Sequence, residues 1–367
     1  MIFGYICDIG GKEKRVSITP DIVKKLQKEN IQVLINRNYG LNSNISDQQF
    51  LDAGAKIEKE EKIYSESDVI VQIDFENSDK AKLLKNGICL VVNHFDKKNK
   101  ELISILSSKK INIFSLDLLP RITRAQSMDI LSSQANLSGY RAVIDSVYEF
   151  NKAVPMMMTA AGTITPAKFF VIGAGVAGLQ AIATAKRLGG VVSATDVRAA
   201  SKEQVESLGG RFVFVENGEN LETAAGYAKE ASDDFKKKQE ELLERTIKDQ
   251  DIVICTALIP GKKAPRIITE EMVLSMRPGS IICDLAASQG GNAAFSETDK
   301  IIEKNGIKII GYTNFASRIS ETASNLLAKN YYNFIQLIYD KESQNVKIDM
   351  QDEIVKAVYL GGAYNGN

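Results

Sequence analysis

The run Lys168-Phe-Phe-Val-Ile leads into Gly173-Ala-Gly175-Val-Ala-Gly178, and a helical pattern follows from Val176 to Leu188. A second apolar run, Val191–Thr195, ends at Asp196, eighteen positions past the third glycine. This is the spacing of a pyrophosphate-binding turn. Gly173 permits the tight turn, Gly175 lets the backbone approach a pyrophosphate, and Gly178 lets the helix pack close to the sheet. The helix N-terminus offers free N–H groups and the positive end of its dipole to phosphates. Asp196 can accept hydrogen bonds from an adenosine ribose diol and would repel a 2′-phosphate, which points to NAD(H) over NADP(H). Arg198, two residues on, is the counter-signal. The bland reading is a glycine-rich packing turn with no ligand. The strand, helix, second strand and acid around the glycines weigh against it. The expected cofactor contacts here are Gly173, Gly175, Val176, Gly178, Asp196, Val197 and Arg198.

Other chemistries are excluded by what is missing. The chain has one histidine, His94, so a two-histidine metal site cannot form within it, and any Ser-His-Asp or Cys-His mechanism would have to use that residue. Cys7, Cys89, Cys255 and Cys283 form no Cys-x-x-Cys pair and sit in apolar, strand-like runs, so they read as buried, reduced thiols, and no metal site is expected. Lys+Arg and Asp+Glu are 46 each, leaving no global field to attract nucleic acid or anionic lipid. The opening Met1–Ile9 contains Asp8 and lacks a basic start, so no secretory leader is expected. The longest uncharged stretch, Phe169–Ala185, carries three glycines and reads as buried α/β structure rather than a membrane span.

The elements that must position this turn alternate along the chain. Its 367 residues suffice for about two domains. Strands are expected at Ile2–Cys7, Ile31–Ile35, Asp68–Ile73, Ile88–Val92 and Ile111–Phe114, with a helix start at Thr19-Pro20 and helices at Lys80–Leu84 and Lys100–Leu106. Arg121–Tyr140 is polar, and Ala142–Phe150 is helical. A second series has strands at Phe169–Ile172, Val191–Thr195, Arg211–Val215, Asp251–Ala257, Ser280–Leu285 and Lys308–Tyr312. Asp233–Asp249 reads as an amphipathic surface helix, and Glu321–Tyr339 as a long helix able to return the chain to the first domain. The fold class is therefore α/β, with two Rossmann-like parallel-sheet lobes and an interdomain cleft. The first lobe takes residues 1–130 plus 318–367, and the NAD(H)-binding lobe takes 131–317. The loops Thr256-Ala-Leu-Ile-Pro260-Gly261 and Gly290-Gly291-Asn292 follow strands where βα loops reach a cofactor, although either can be an ordinary loop. Ala257, Leu258 and Pro260 join the expected contacts.

The segment Arg121-Ile-Thr-Arg-Ala-Gln126-Ser-Met-Asp129-Ile-Leu-Ser132 through Asn136-Leu-Ser-Gly-Tyr-Arg141 packs Arg, Gln, Asp and Ser together. On composition it reads as a polar linker. It resembles, however, the Arg-Gln-Asp loop of the proton-translocating NAD(P) transhydrogenase alpha subunit. The Gly-Ala-Gly-Val-Ala-Gly turn, Gly226-Tyr-Ala-Lys229, Thr256-Ala-Leu-Ile-Pro-Gly261 and Asp284-Leu-Ala-Ala match as well, so the resemblance runs from about Lys12 to Lys329. It implies that this component binds NAD(H) and exchanges hydride with NADP(H) on a second component, while a membrane component couples the exchange to proton movement. It also implies roles at matching positions. Arg121 and Asp129 brace the loop, Gln126 lies between the two nicotinamides, Ser132 holds the nicotinamide carboxamide, and Tyr227 sits on a loop that closes over NAD. A homodimer is implied, with the Arg211–Glu222 region contributing a hairpin. With no spanning helix before Asn367, the membrane component and the NADP(H) site are expected on separate chains. This places the protein in the cytoplasm, peripheral on the inner face of the plasma membrane.

The rival resemblance is to alanine dehydrogenase, which Lys12-Glu-Lys-Arg15-Val-Ser-Ile-Thr-Pro20 fits equally. That family needs a lysine where Gln72 stands, an acid where Ser288 stands, and a histidine near His94. An oxo-acid dehydrogenase needs a general acid/base and a cation for the carboxylate, and two of these groups are absent. A non-catalytic NAD-binding module is the other alternative, and the Arg121–Gln126–Asp129 set weighs against it.

Overall fold

The computed structural model describes residues 1–7, 11–215, 232–258 and 263–361, with backbone alone at 233–236. The chain forms two units, one of Met1–Gln134 with Ser317–Asn367, the other of Ala135–Ala316. Among the described residues no helix is long and apolar enough to cross a membrane.

The first unit is built on six strands: β1 (Ile2–Tyr5), β2 (Gln32–Asn36), β3 (Lys56–Glu58), β4 (Val69–Gln72), β5 (Cys89–Val92) and β6 (Asn112–Ser115). They pair in the order β3-β2-β1-β4-β5-β6, all parallel. Both faces are covered, so the inner strands are mainly apolar, as parallel sheets require, while the edge strand β3 is half-exposed. Val33, Ile35, Val69, Val71 and Val91 pack on one face, and Leu34, Ile70, Leu90 and Val92 on the other. The first face is closed by helix Ser320–Ile338, which buries Leu327, Tyr331, Phe334, Ile335 and Ile338 against it. Burying each such side chain contributes about 1.5–3 kcal/mol.

The second unit begins within helix Ile130–Glu149 and continues into an antiparallel hairpin, β7 (Met157–Thr159) and β8 (Gly162–Ile164). Its sheet comprises β9 (Lys168–Ile172), β10 (Val191–Thr195), β11 (Arg211–Phe212), β12 (Ile252–Cys255), β13 (Ile281–Asp284), β14 (Ile301–Lys304) and β15 (Ile307–Ile310). The order is β11-β10-β9-β12-β13-β15-β14, parallel except for the edge strand β14. Phe169 and Val171 pack beneath helix Val176–Arg187, and Phe170 and Ile172 beneath Leu243 and Ile247 of helix Asp233–Ile247.

Two expectations need correction. The polar stretch Arg121–Tyr140 is a 3-10 turn, Thr123–Met128, followed by a single helix, Ile130–Glu149, that starts well before Ala142. Asp129 caps that helix, and a cap of this kind starts a helix without an apolar stripe. Arg211–Val215 yields a strand of only two residues, Arg211–Phe212, on the sheet edge and parallel to β10. The remainder of that expected hairpin, 216–222, lies outside the described residues. Among the described residues, β7–β8 forms a hairpin in the stretch bounded by Pro155 and Pro166.

Candidate functional site

The strand order of the second unit reverses between β9 and β12, and ligands of open α/β sheets bind beyond the carboxyl ends of the strands at such a point. The glycine turn occupies it. Gly173 has φ +94°, a left-handed conformation that glycine alone adopts at little cost, and its N–H bonds Thr195 O at 2.9 Å. Gly175 caps helix Val176–Arg187, and among the described residues nothing lies within 4 Å of where its Cβ would stand. A Cβ on Gly178 would lie 1.8 Å from Gly173 O, so only glycine lets the helix cross its own turn this closely. Leu179 N–H makes the first intrahelical bond, to Gly175 O at 2.8 Å. The N–H groups of Val176, Ala177 and Gly178 precede it and have no intrahelical partner. Val176 is 42% exposed. The result is an open, amide-lined mouth. Gly139, absent from the expected set, supports it from below: a Cβ there would lie 2.0 Å from Ala177 O, which sets how closely helix Ile130–Glu149 passes this turn.

Asp196 ends the second strand, but its carboxylate is already taken. Oδ2 accepts from Ala174 N at 2.7 Å and Arg198 Nη2 at 2.8 Å, and Oδ1 accepts from Arg198 N and Nε, both at 2.9 Å. These four donors fill the four lone-pair positions of a carboxylate. Burial alone would favour the neutral acid; the Arg198 guanidinium and the two amides outweigh it and hold the carboxyl below its ordinary range. Arg198, read from sequence as a counter-signal, is therefore the partner of the acid. Val197 between them is half-buried.

Two loops flank the turn. Thr256 N–H donates to Ile172 O at 2.9 Å and Thr256 Oγ1 donates to Gly173 O at 2.9 Å, fixing the loop that carries Ala257 and the 42%-exposed Leu258. Asn292, fully buried, grips both sides of Ala257: its Oδ1 accepts from Ala257 N at 3.1 Å and its Nδ2 donates to Ala257 O and Pro265 O, each at 2.9 Å. Asp284, also fully buried, accepts from Ala286 N and Ala293 N, each at 2.9 Å, and from Ser296 Oγ. Asn292 and Asp284 are positioning residues that sequence reasoning did not select. Their signal was present: an Asp closing an apolar strand, and an Asn behind two glycines that stand at φ +98° and +77°. Tyr227 and Pro260 lie outside the described residues.

The remaining expected residues belong to the first unit. Asp129 Oδ1 accepts from Ser132 N at 2.9 Å, the bond of an N-cap, and Oδ2 accepts from Ser132 Oγ at 2.5 Å. Arg121 and Gln126 are exposed, and among the described residues Gln126 makes no side-chain hydrogen bond. The 3-10 turn Thr123–Met128 is held from helix Ser320–Ile338, where Asn330 Nδ2 and Asn333 Nδ2 both donate to Ser127 O at 2.9 Å. Asp129 and Ser132 are thus in direct contact. Gln72 has a packing role: Tyr64 OH donates to its Oε1 and Tyr331 OH to its carbonyl. His94 is 65% exposed, with Nδ1 2.7 Å from Asp117. Among the described residues no group of His, Cys, Asp and Glu could hold a metal ion.

The family models for alanine dehydrogenase/PNT match both halves of the chain, the N-terminal domain over residues 6–138 and the C-terminal domain over 142–364. The NAD(P) transhydrogenase alpha subunit of Rhodospirillum rubrum, in its first portion, is 50% identical over 351 residues, covering 94% of this chain and 91% of that one. The crystal structure of transhydrogenase from Sinorhizobium meliloti superposes with a TM-score of 0.88 at 44% identity, over 99% of each chain. An L-alanine dehydrogenase structure shares the fold, with a TM-score of 0.81 at 19% identity over 100% of this chain and 96% of that one. The chain belongs to the alanine dehydrogenase/PNT family, as a relative of the NAD(P) transhydrogenase alpha subunit.

Proposed function

We propose that this chain is the NAD(H)-binding component of an NAD(P) transhydrogenase. Its reaction is NADH + NADP⁺ ⇌ NAD⁺ + NADPH, with NADP(H) held by a separate component and the exchange coupled to proton movement by a membrane component. The observation that carries this reading is the mouth of the glycine turn. The amides of Val176–Gly178 have no intrahelical partner, and among the described residues nothing lies within 4 Å of a Cβ placed on Gly175, at the reversal of the sheet. That cradle fits a pyrophosphate, with Ala257, Leu258 and Val197 beside it. Asp196 and Arg198 together serve the adenosine ribose. Since four donors already saturate the carboxylate, a diol binds by displacing some of the Arg198 fork.

When bound, the nicotinamide supplies or accepts the hydride; the protein's task is orientation and exclusion of water. From the family resemblance, Arg121 and Asp129 brace the loop that serves the nicotinamide end. The Ser132 hydroxyl, whose proton goes to Asp129, keeps its lone pairs for a carboxamide N–H. Gln126 presents an amide with no competing bond, as a group set between two rings requires. Tyr227 and Pro260 complete the set. No proton is exchanged with the protein in the transfer, which accords with an exposed His94. We further propose a homodimer. In the β7–β8 hairpin and the residue before it, Met156, Met158 and Ile164 are exposed, an apolar surface suited to a second copy. In the cell the component would sit in the cytoplasm, peripheral on the inner face of the plasma membrane.

The test mixes this chain with an NADP(H)-binding transhydrogenase component and follows oxidation of NADH against an NADP⁺ analogue. Transfer that requires both proteins is expected. No transfer at saturating partner, with NADH binding intact, overturns the reading in favour of a non-catalytic module.

A further inference from the structure

Helix Ser320–Ile338 turns an apolar face into the first unit, and one amide sits on it. Asn330 is only 7% exposed, on the face that carries Leu327, Tyr331 and Phe334. A buried amide lowers stability unless it is hydrogen-bonded, and an apolar residue would fill this position without that demand. Asn330 spends its bonds on two residues. Nδ2 donates to Ser127 O at 2.9 Å, and Oδ1 accepts from Ser133 Oγ at 2.7 Å. Ser127 O can only accept, which fixes the end of the amide that faces it. One side chain therefore staples both ends of the segment Ser127–Ser133. Inside that segment lie Asp129 and Ser132, joined to each other by the helix cap. Gln126 lies immediately before it. Asn333 Nδ2 donates to the same Ser127 O at 2.9 Å, so two donors converge on that carbonyl.

Among the described residues Gln126 makes no side-chain hydrogen bond, so its amide takes its place from the backbone that carries it. That backbone is the short 3-10 turn Thr123–Met128, whose internal bonds are of poorer geometry than those of an α-helix. Arg124 Nη2 also reaches Asp352 Oδ2 at 2.6 Å, but the arginine side chain is 54% exposed, and a solvent-screened ion pair contributes little. The rigid tie is the buried one. We propose that Asn330 is a positioning residue for hydride transfer: by gripping Ser127 and Ser133 together, it fixes Gln126 relative to Asp129 and Ser132. The role rests on the chain being the NAD(H)-binding component of a transhydrogenase, and it requires no contact between Asn330 and either cofactor. Displacing a group that orients reactants by about 1 Å slows a reaction by up to about a hundredfold, so the register of this turn matters more than its stability.

The test uses the full chain with an NADP(H)-binding transhydrogenase component and reads single-turnover hydride transfer from NADH, NADH titration and thermal melting. Asn330→Leu keeps a side chain of similar size and removes both bonds. It is expected to slow transfer about ten- to a hundredfold, with NADH affinity within about threefold of the unaltered chain. Asn333→Ala removes one donor to Ser127 O from a half-buried position. It is expected to slow transfer severalfold, and it serves if Asn330→Leu does not fold. Asn330→Leu combined with Gln126→Asn separates positioning from general damage: because both act on one group, the two slowings should not multiply. Transfer by the folded variants at the unaltered rate overturns the proposal, and so do slowings that multiply. A lower melting temperature with full transfer below it marks a purely structural amide and likewise overturns it. If the unaltered chain itself transfers no hydride, the transhydrogenase reading fails and the proposal with it; if the unaltered chain transfers and the variants match it, the proposal fails alone.

Discussion

Gly175 and Gly178 stand three residues apart in one motif, yet the structure gives them different work, and alanine substitution separates the two. At Gly175 the backbone has φ −74° and ψ −169°, which alanine adopts without strain, and among the described residues no atom lies within 4 Å of the added methyl. The unbound protein should gain about 0.4–1 kcal/mol from a less flexible unfolded chain. It should lose a similar amount because alanine is a poorer N-cap. Thermal stability should therefore barely change. The methyl instead occupies the space that a pyrophosphate must enter to reach the helix amides. Losing one or two charge-assisted hydrogen bonds at about 1.5–3 kcal/mol weakens NADH binding about ten- to a hundredfold. Gly178→Ala should do the opposite, because its methyl would stand 1.8 Å from Gly173 O. Overpacking of this kind costs about 1–3 kcal/mol, which in a unit of this size lowers the melting temperature by about 2–4 °C per kcal/mol. Calorimetry and NADH fluorescence titration read the two effects independently. Gly175→Ala binding NADH within about twofold of the unaltered chain, or Gly178→Ala melting at the same temperature, would refute the reasoning.

Asn292→Ala leaves Ala257 N–H and the carbonyls of Ala257 and Pro265 without their side-chain partner. It should destabilise the protein by about 1–3 kcal/mol and weaken NADH binding by loosening the loop, seen in urea titration and fluorescence. Gln126→Asn should leave the NADH dissociation constant nearly unchanged while slowing transfer to NADP⁺ with the partner present; equal loss of both counts against the proposed role. Asp196 has a folded-state pKa below its unfolded one, so its contribution to stability is fully present above the unfolded value and disappears as pH falls through the folded value. Arg198→Met should accordingly lower stability at neutral pH, with the difference vanishing in acid; a pH-independent difference in urea midpoint would argue for a packing effect instead. Burial pushes the Cys89 thiol up to about 12 and raises Cys255 strongly. Ellman's reagent at pH 8 should therefore leave both unlabelled until the protein is denatured.

Much of this protein is local and so can be read from order alone. The apolar runs within Val69–Gln72, Ile252–Cys255 and Ile281–Asp284 become strands because a continuous apolar run of three or four residues must be buried on both faces. The glycine turn was legible because its constraints act over a few residues: a left-handed φ at Gly173 and a helix crossing at Gly178 are properties of the chain near them. Edge strands β3 and β14 were not legible, since short, half-exposed segments such as Lys56–Glu58 gain their ladder from a neighbour distant in sequence. Side-chain partnerships depended on the tertiary structure in the same way. Sequence offered Asp196 as a free ribose ligand and Arg198 as an argument against it; the turn of the backbone at Val197 brings the two into one bidentate pair. Asn292 and Ala257 are 35 residues apart in sequence and meet because β12 and β13 are neighbours. Composition and spacing determined which chemistry this chain could carry; parallel pairing, which brings distant strand ends to one edge, decided which side chains are spent on each other and which amides remain for a ligand.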